Sequence, residues 1–225
     1  MYNITELALI AVVIILPLIA QAGIKSSYNK YAKVLSSKGI TGEQVARKIL
    51  DRNNLRNVKI NRIQGDLTDH YDPTKKTVNL SDSIYSEKSI SSIAVAAHEC
   101  GHAIQDKEKY SFLRFRSSMV PVVNFTSRFA SIFIIIGFAS SIFNLITIGI
   151  ILLCVGLLFQ LVTLPVEFNA SSRAKVQLQE LGLVTSKELE GTSKVLKAAA
   201  FTYVAGFLAT ALQILRLVLV SRNRN

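Results

Sequence analysis

Residues 96–104 read Ala-Ala-His-Glu-Cys-Gly-His-Ala-Ile, which sets His98 and His102 four positions apart with Glu99 beside the first. On a helix, positions i and i+4 share a face, so both imidazoles can be aimed at one ion. Glu99 then reaches a water on that ion and not the ion itself. The chemistry this predicts is metal-assisted hydrolysis of a peptide bond, with zinc the usual ion for such a pair. Zinc acidifies the water and polarises the scissile carbonyl, and Glu99 accepts the proton and later passes it to the leaving amine. Chance is a poor explanation, because the chain has only three histidines and two stand at this spacing. The neighbours Ile93, Ala94, Val95, Ala96, Ala97, Gly101 and Ala103 are small or apolar. Burying three polar groups among them is costly unless a metal satisfies them. Cys100 turns away from the metal face and reads as a packing residue.

A catalytic zinc takes a third protein ligand and keeps one position open. Asp106 follows His102 by one more helical turn, but a third group in line points along the helix and not around the ion. Glu108 stands where the longer HExxHxxGxxH motif has its third ligand, yet that motif needs a chain-reversing glycine where this chain has Gln105. Glu167 lies just after Pro165, on a polar piece expected on the same side of the membrane as the motif. Geometry and topology favour Glu167. His70 and Tyr71, in Asp69-His70-Tyr71-Asp72-Pro73, are candidates for hydrogen-bonding the oxyanion of a tetrahedral intermediate; a turn built by Asp72-Pro73 with His70 merely exposed is the plain alternative.

These groups must be positioned by an unusually apolar chain: half its residues are hydrophobic and its mean hydropathy is +0.36. Residues 7–24 and 129–165 carry no charge, and 198–220 carry one, Arg216. About 20 apolar residues span a bilayer as helix. The middle stretch is long enough for a hairpin turning near residues 140–144, with its first helix beginning among 120–124, which makes four spans. Ala20-Gln21-Ala22 resembles a signal-cleavage site, but residues 1–6 lack the positive charge a signal requires. Lys25, Lys30, Lys33 and Lys38 follow the first span, so that flank is expected to be cytoplasmic.

The expected organisation is a first anchor (1–24), a cytoplasmic catalytic region with the HExxH helix (25–119), a membrane hairpin (120–165), a second cytoplasmic segment carrying Glu167 (166–197), and a fourth span with its tail (198–225). Arg222 and Arg224 after the last span run against the charge rule. Within the catalytic region, residues 26–37 read as a basic amphipathic helix. Thr41 or Gly42 can cap another helix through Leu50. Residues 58–63 alternate like a half-buried strand and 77–80 read as a second short strand, with a turn over 72–76. Helix resumes near 86–89 through Ile104, and Pro165 and Gly182 read as the start and end of a later helix.

Four stretches carry a resemblance: Leu67 to Pro73 reading LTDHYDP, Ala94 to Gln105 around HECGHAIQ, Leu161 to Ala174 reading LVTLPVEFNASSRA, and Lys194 to Tyr203 reading KVLKAAAFTY. Together with the four apolar segments the chain resembles the YugP-like bacterial membrane zinc metallopeptidases and, more distantly, the HtpX-type membrane peptidases. The resemblance implies zinc held by His98, His102 and Glu167, with Glu99 catalytic, in a small α+β, gluzincin-like domain. The HtpX-type stretch usually reads Glu-Phe-x-Ala-Asp. Ser171 stands here in place of that Asp, which leaves Asn169 or Arg173 to orient a ligand histidine.

The fold class expected is therefore mainly α and integral to a membrane, four transmembrane helices with a small α+β catalytic domain. The expected partners are the lipid bilayer and peptide or membrane-protein substrates in membrane-protein quality control. The net charge of +11 sits mainly in loops beside the spans, with no aromatic-basic platform, so nucleic acid is not expected. A non-catalytic scaffold stabilised by zinc is the alternative, and Glu99 argues against it because a structural site needs no base. The spans hold too few ionisable groups for a transporter. Cys100 and Cys154 suggest no disulfide. The Asn-x-Ser/Thr matches at Asn3, Asn79, Asn124 and Asn169 read as chance.

Overall fold

The computed structural model describes residues 4–222, so Asn3 and Arg224 lie outside the described residues. In chain order the elements are α1 (Ile4–Ala32), α2 (Gly42–Arg52), β1 (Lys59–Ile63), β2 (His70–Asp72), β3 (Thr77–Ser81), α3 (Asp82–Ser86), α4 (Ile90–Lys107), α5 (Ser111–Ser140), α6 (Phe143–Glu180) and α7 (Ser186–Arg222). They sort into two compact units: Met1–Gln21, Arg114–Leu164 and Phe201–Asn225 form one, and Ala22–Leu113 with Pro165–Ala200 the other.

In the first unit, α1, α5, α6 and α7 are each long and apolar enough to cross a membrane. Their large side chains face outward, Ile14, Leu18, Phe125, Ile135 and Ile151 among them. That surface suits lipid and not water. The α5–α6 hairpin turns where expected, at Ser141 (φ 58°) and Ile142, with the Ile142 N–H donating to the Gly137 carbonyl at 3.0 Å. α5 starts at Ser111 and not among 120–124, because residues 111–119 contain no breaker and Pro121 is absorbed inside the helix.

The second unit is an α+β body around a three-stranded sheet of order β1-β3-β2. β1 pairs parallel with β3, Ile60 opposite Val78, and β2 pairs antiparallel with it, Tyr71 again opposite Val78. The two strands expected from sequence are β1 and β3. β2 was hidden because His70, Tyr71 and Asp72 carry no apolar alternation; the strand exists by pairing to the β3 edge. Asp72 Oδ1 accepts the Thr74 and Lys75 N–H groups at 2.8 and 3.0 Å, making the expected turn. Thr41 caps α2 in a reciprocal box with Gln44, and Val45, Ile49 and Leu50 point fully into the core. Short α3 adds Ile84 to that core.

Two boundaries differ from local signals. The amphipathic segment expected separately over 26–37 is the continuation of α1 as far as Ala32. α6 likewise runs through Pro165 without restarting. Val166, Ala170, Ala174 and Leu178, spaced by four, are all buried, and that packing carries the helix past one missing donor. Gly182 ends the turn after α6 at φ +58°, with the Leu183 N–H donating back to the Leu178 carbonyl at 3.0 Å, a left-handed cap glycine adopts at little cost.

Candidate metal centre

The site is assembled wholly within the second unit, from α4 and the part of α6 that follows Pro165. Ser89 caps α4, its hydroxyl accepting the Ser92 N–H at 3.1 Å, and most of the helix is buried. Tyr28 on α1 fixes its start: the Tyr28 carbonyl accepts the Ser91 hydroxyl at 2.8 Å. Gly101 lets α6 come close. A Cβ there would lie 2.5 Å from the Ala170 carbonyl oxygen. This small-residue crossing sets Glu167 over the face of α4 that carries the histidines.

The imidazoles of His98 and His102 stand edge to face with centroids 4.8 Å apart. Glu167 Oε2 lies 3.2 Å from His98 Nε2 and 3.7 Å from His102 Nε2. One ligand atom from each of the three residues falls within 4.8 Å of the others. Donors about 2.1 Å from a shared tetrahedral zinc would lie roughly 3.4 Å apart, so the observed separations fit that ion. Glu167 is also only 3 % exposed, and a carboxylate so placed demands a counter-charge. The donor set is the mixed nitrogen and oxygen kind that zinc accepts.

Gln105 orients His102. Its Nε2 donates to the Val166 carbonyl at 2.8 Å and to Asn169 Oδ1 at 2.9 Å. Its Oε1, 3.0 Å from His102 Nδ1, must therefore accept, which puts the His102 proton on Nδ1 and leaves Nε2 facing Glu167. Ser171 Oγ does the corresponding job at His98, 3.2 Å from Nδ1. Asn169 and Arg173 act one step farther out. Arg173 Nε donates to Asn169 Oδ1 at 2.7 Å and Arg173 pairs with Glu108 at 2.7 Å. Neither Gln105 nor Ser171 stood out as an orienting group from sequence, although Gln105 follows His102 by three residues and Ser171 follows Glu167 by four, the spacings that place side chains on one helical face.

Glu99 is buried beside this cluster, 7 % exposed. Burial holds its carboxyl above the ordinary range, while His98 and His102 pull it the other way. Burial alone would disfavour an imidazolium at His102, but the hydrogen bond and charge of Glu167 outweigh it and hold that ring above its ordinary value. Burial pushes the Cys100 thiol up, and its Sγ faces the Ala46 carbonyl, as expected of a packing residue.

The other acidic candidates are engaged elsewhere. Asp106 accepts the Tyr71 hydroxyl at 2.6 Å and Lys76 Nζ at 2.5 Å, and Glu108 is held by Arg173. Burial, reinforced by Asp106, raises the Tyr71 hydroxyl. His70 is exposed on β2, with Nδ1 2.8 Å from the Thr68 carbonyl and Nε2 3.2 Å from Asn79 Nδ2.

The model of a family described as "Putative neutral zinc metallopeptidase" matches residues 6–222. The protein named "Putative membrane protease YugP" in Bacillus subtilis (strain 168) is 48% identical over 204 residues, covering 91% of each chain. No solved structure matches.

Proposed function

The chain belongs to this neutral zinc metallopeptidase family as a multi-pass membrane protease whose cofactor is zinc, and from that premise we propose that His98, His102 and Glu167 hold the ion and Glu99 is the catalytic base. The observation that carries this reading is the approach of Glu167 Oε2 to His98 Nε2 at 3.2 Å, across a helix crossing that only Gly101 permits. Two histidines and a glutamate leave one position for water and substrate, the donor set of a gluzincin-like site.

Zinc, when bound, supplies Lewis acidity that polarises a scissile carbonyl and acidifies water. Glu99 takes the proton of the attacking water as its oxygen joins the carbonyl carbon. The carbon–nitrogen bond then breaks, and the same carboxyl returns the proton to the leaving amine. Its burial suits both halves of this task, since a carboxyl held above its ordinary range gives up and takes back a proton more evenly. Gln105 and Ser171 keep the ligand Nε2 atoms turned inward. To steady the oxyanion, His70 on β2 would exchange the contact of its Nδ1–H with the Thr68 carbonyl for one with the substrate oxygen.

The site faces the cytoplasm of a plasma-membrane protein in this reading, supported by Lys25, Lys30, Lys33 and Lys38 after the first span. Its substrates are misfolded or partly extracted membrane proteins; the relative's name as a membrane protease and the spans of this chain support that. Glu99→Gln tests the division of roles. The variant should keep its zinc by elemental analysis and lose at least about 100-fold in casein hydrolysis; a variant purified without zinc would put Glu99 among the ligands instead.

A further inference from the structure

One face of α5 is polar in a place where lipid is expected. Asn124, Arg128 and Ser131 are spaced by four and three, share a side of the helix, and are all exposed. Neither Asn124 nor Arg128 has a hydrogen-bond or ion-pair partner among the described residues. No partner of opposite charge is at hand in sequence either, because residues 7–21, 114–164 and 201–222 contain no Asp or Glu.

The depth of Arg128 follows from the hairpin. On α6, residues 143–164 carry no charge and extend about 33 Å as helix, matching a hydrocarbon core of about 30 Å. Gly137 packs on Ile146, and Gly149 packs on Ile134 and the Ala130 carbonyl. Arg128 therefore lies level with residues 151–155, the middle of that run. The charge-free remainder of α5, residues 129–140, is only about 18 Å long. Arg216, six positions before the end of α7, can snorkel to the interface; Arg128 is too deep to do so. An arginine at this depth is strongly unfavourable against hydrocarbon, and such residues pair with one another's counter-charges or line polar interfaces.

We propose that the Asn124–Arg128–Ser131 face of α5 docks a membrane-spanning helix of another protein that carries an Asp or Glu near mid-bilayer. Charge complementarity selects this occupant. A second copy of the chain would set Arg128 against Arg128 with no carboxylate at that depth, and lipid headgroups lie at the surface. The small and amide-bearing neighbours allow close approach and a second interhelical hydrogen bond. The proposal is independent of the metal centre.

The full chain, reconstituted in phosphatidylcholine vesicles, can be titrated by energy transfer with a synthetic leucine-alanine transmembrane helix bearing one central Asp, beside the same helix with Leu there. The Asp helix should bind about tenfold tighter. Arg128→Met should reduce it to the level of the Leu helix, and Arg128→Asp should shift preference to a helix with a central Lys. Unchanged zinc content in both variants checks that they fold. Equal binding of the Asp and Leu helices, or full binding by Arg128→Met, overturns the proposal. So does an Arg128-dependent signal that reports self-association of the chain, or one that appears only when phosphatidylglycerol is added.

Discussion

Gln105 Oε1 and His102 Nδ1 face each other at 3.0 Å, and the same glutamine grips the carbonyl of Val166, the residue before Glu167, at 2.8 Å. One buried amide thus fixes the orientation of His102 on α4 and the position of the helix that delivers the Glu167 carboxylate. A site formed by two helices far apart in sequence needs such a brace, because neither helix alone sets the distance between imidazole and carboxylate.

Gln105→Leu should therefore weaken zinc binding by about 10- to 100-fold. It removes the acceptor for Nδ1–H and the amide that ties α4 to the Val166 carbonyl and Asn169 Oδ1. Ser171→Ala should cost less, since it removes a single contact with His98, and a longer one, at 3.2 Å. Competition with a chromophoric chelator measures both; equal affinities for Gln105→Leu and the parent would remove Gln105 from the site.

How much of this was legible follows from the kind of signal each part leaves. His98, Glu99 and His102 share one helical segment, so spacing alone exposes them. The long apolar segments and the Thr41 cap are equally local. Gln105 was noticed only as the residue that breaks a longer zinc motif; its role comes from Val166 and Asn169, which lie about 60 positions away. β2 left no periodicity to read, since its three residues are ordered by pairing with β3. Pro165 gave a helix-start signal that burial of Val166, Ala170, Ala174 and Leu178 overrides. The α4–α6 crossing at Gly101 is a tertiary fact with no trace in local pattern, and the contact of Ser171 with His98 depends on that crossing.

Gly101→Ala should destabilise the protein by about 1–3 kcal/mol and lower its zinc content at the same time. The added methyl meets the Ala170 backbone oxygen at 2.5 Å, so α4 and α6 must move apart where they bring the histidines to Glu167. Gly206→Ala, with nothing within 4 Å, is the matched control and should be neutral or slightly stabilising. Thermal unfolding and metal analysis of the two variants, run in parallel, separate the steric effect from the general effect of replacing glycine.

Orientation is open to direct labelling. With the second unit in the cytoplasm, a membrane-impermeant maleimide applied to intact cells should miss Lys75→Cys and modify Ser141→Cys at the hairpin turn. Cys100 is buried, and Cys154, though exposed, lies within the apolar run of α6, so the parent gives a low background. The reverse pattern would invert the membrane orientation while leaving the composition of the second unit intact.

Glu167→Ala should strip zinc as thoroughly as His98→Ala or His102→Ala, whereas Asp106→Ala and Glu108→Ala should keep it. The three carboxylates differ in what they face. Glu167 is buried with the two imidazoles against its Oε2, so its removal leaves two ligands, too few for a catalytic zinc. Asp106 spends its charge on Tyr71 and Lys76, where its loss should loosen the contact between α4 and the sheet. Glu108 is half-exposed in its pair with Arg173, and an ion pair of that kind contributes about 0–1 kcal/mol. Zinc per chain, with helicity by circular dichroism to confirm folding, distinguishes the cases. A folded Glu167→Ala protein with full zinc beside a depleted Asp106→Ala or Glu108→Ala variant would return the third ligand to the end of α4. It would also leave the 3.2 Å approach of Glu167 to His98 as an ion pair without a metal between them.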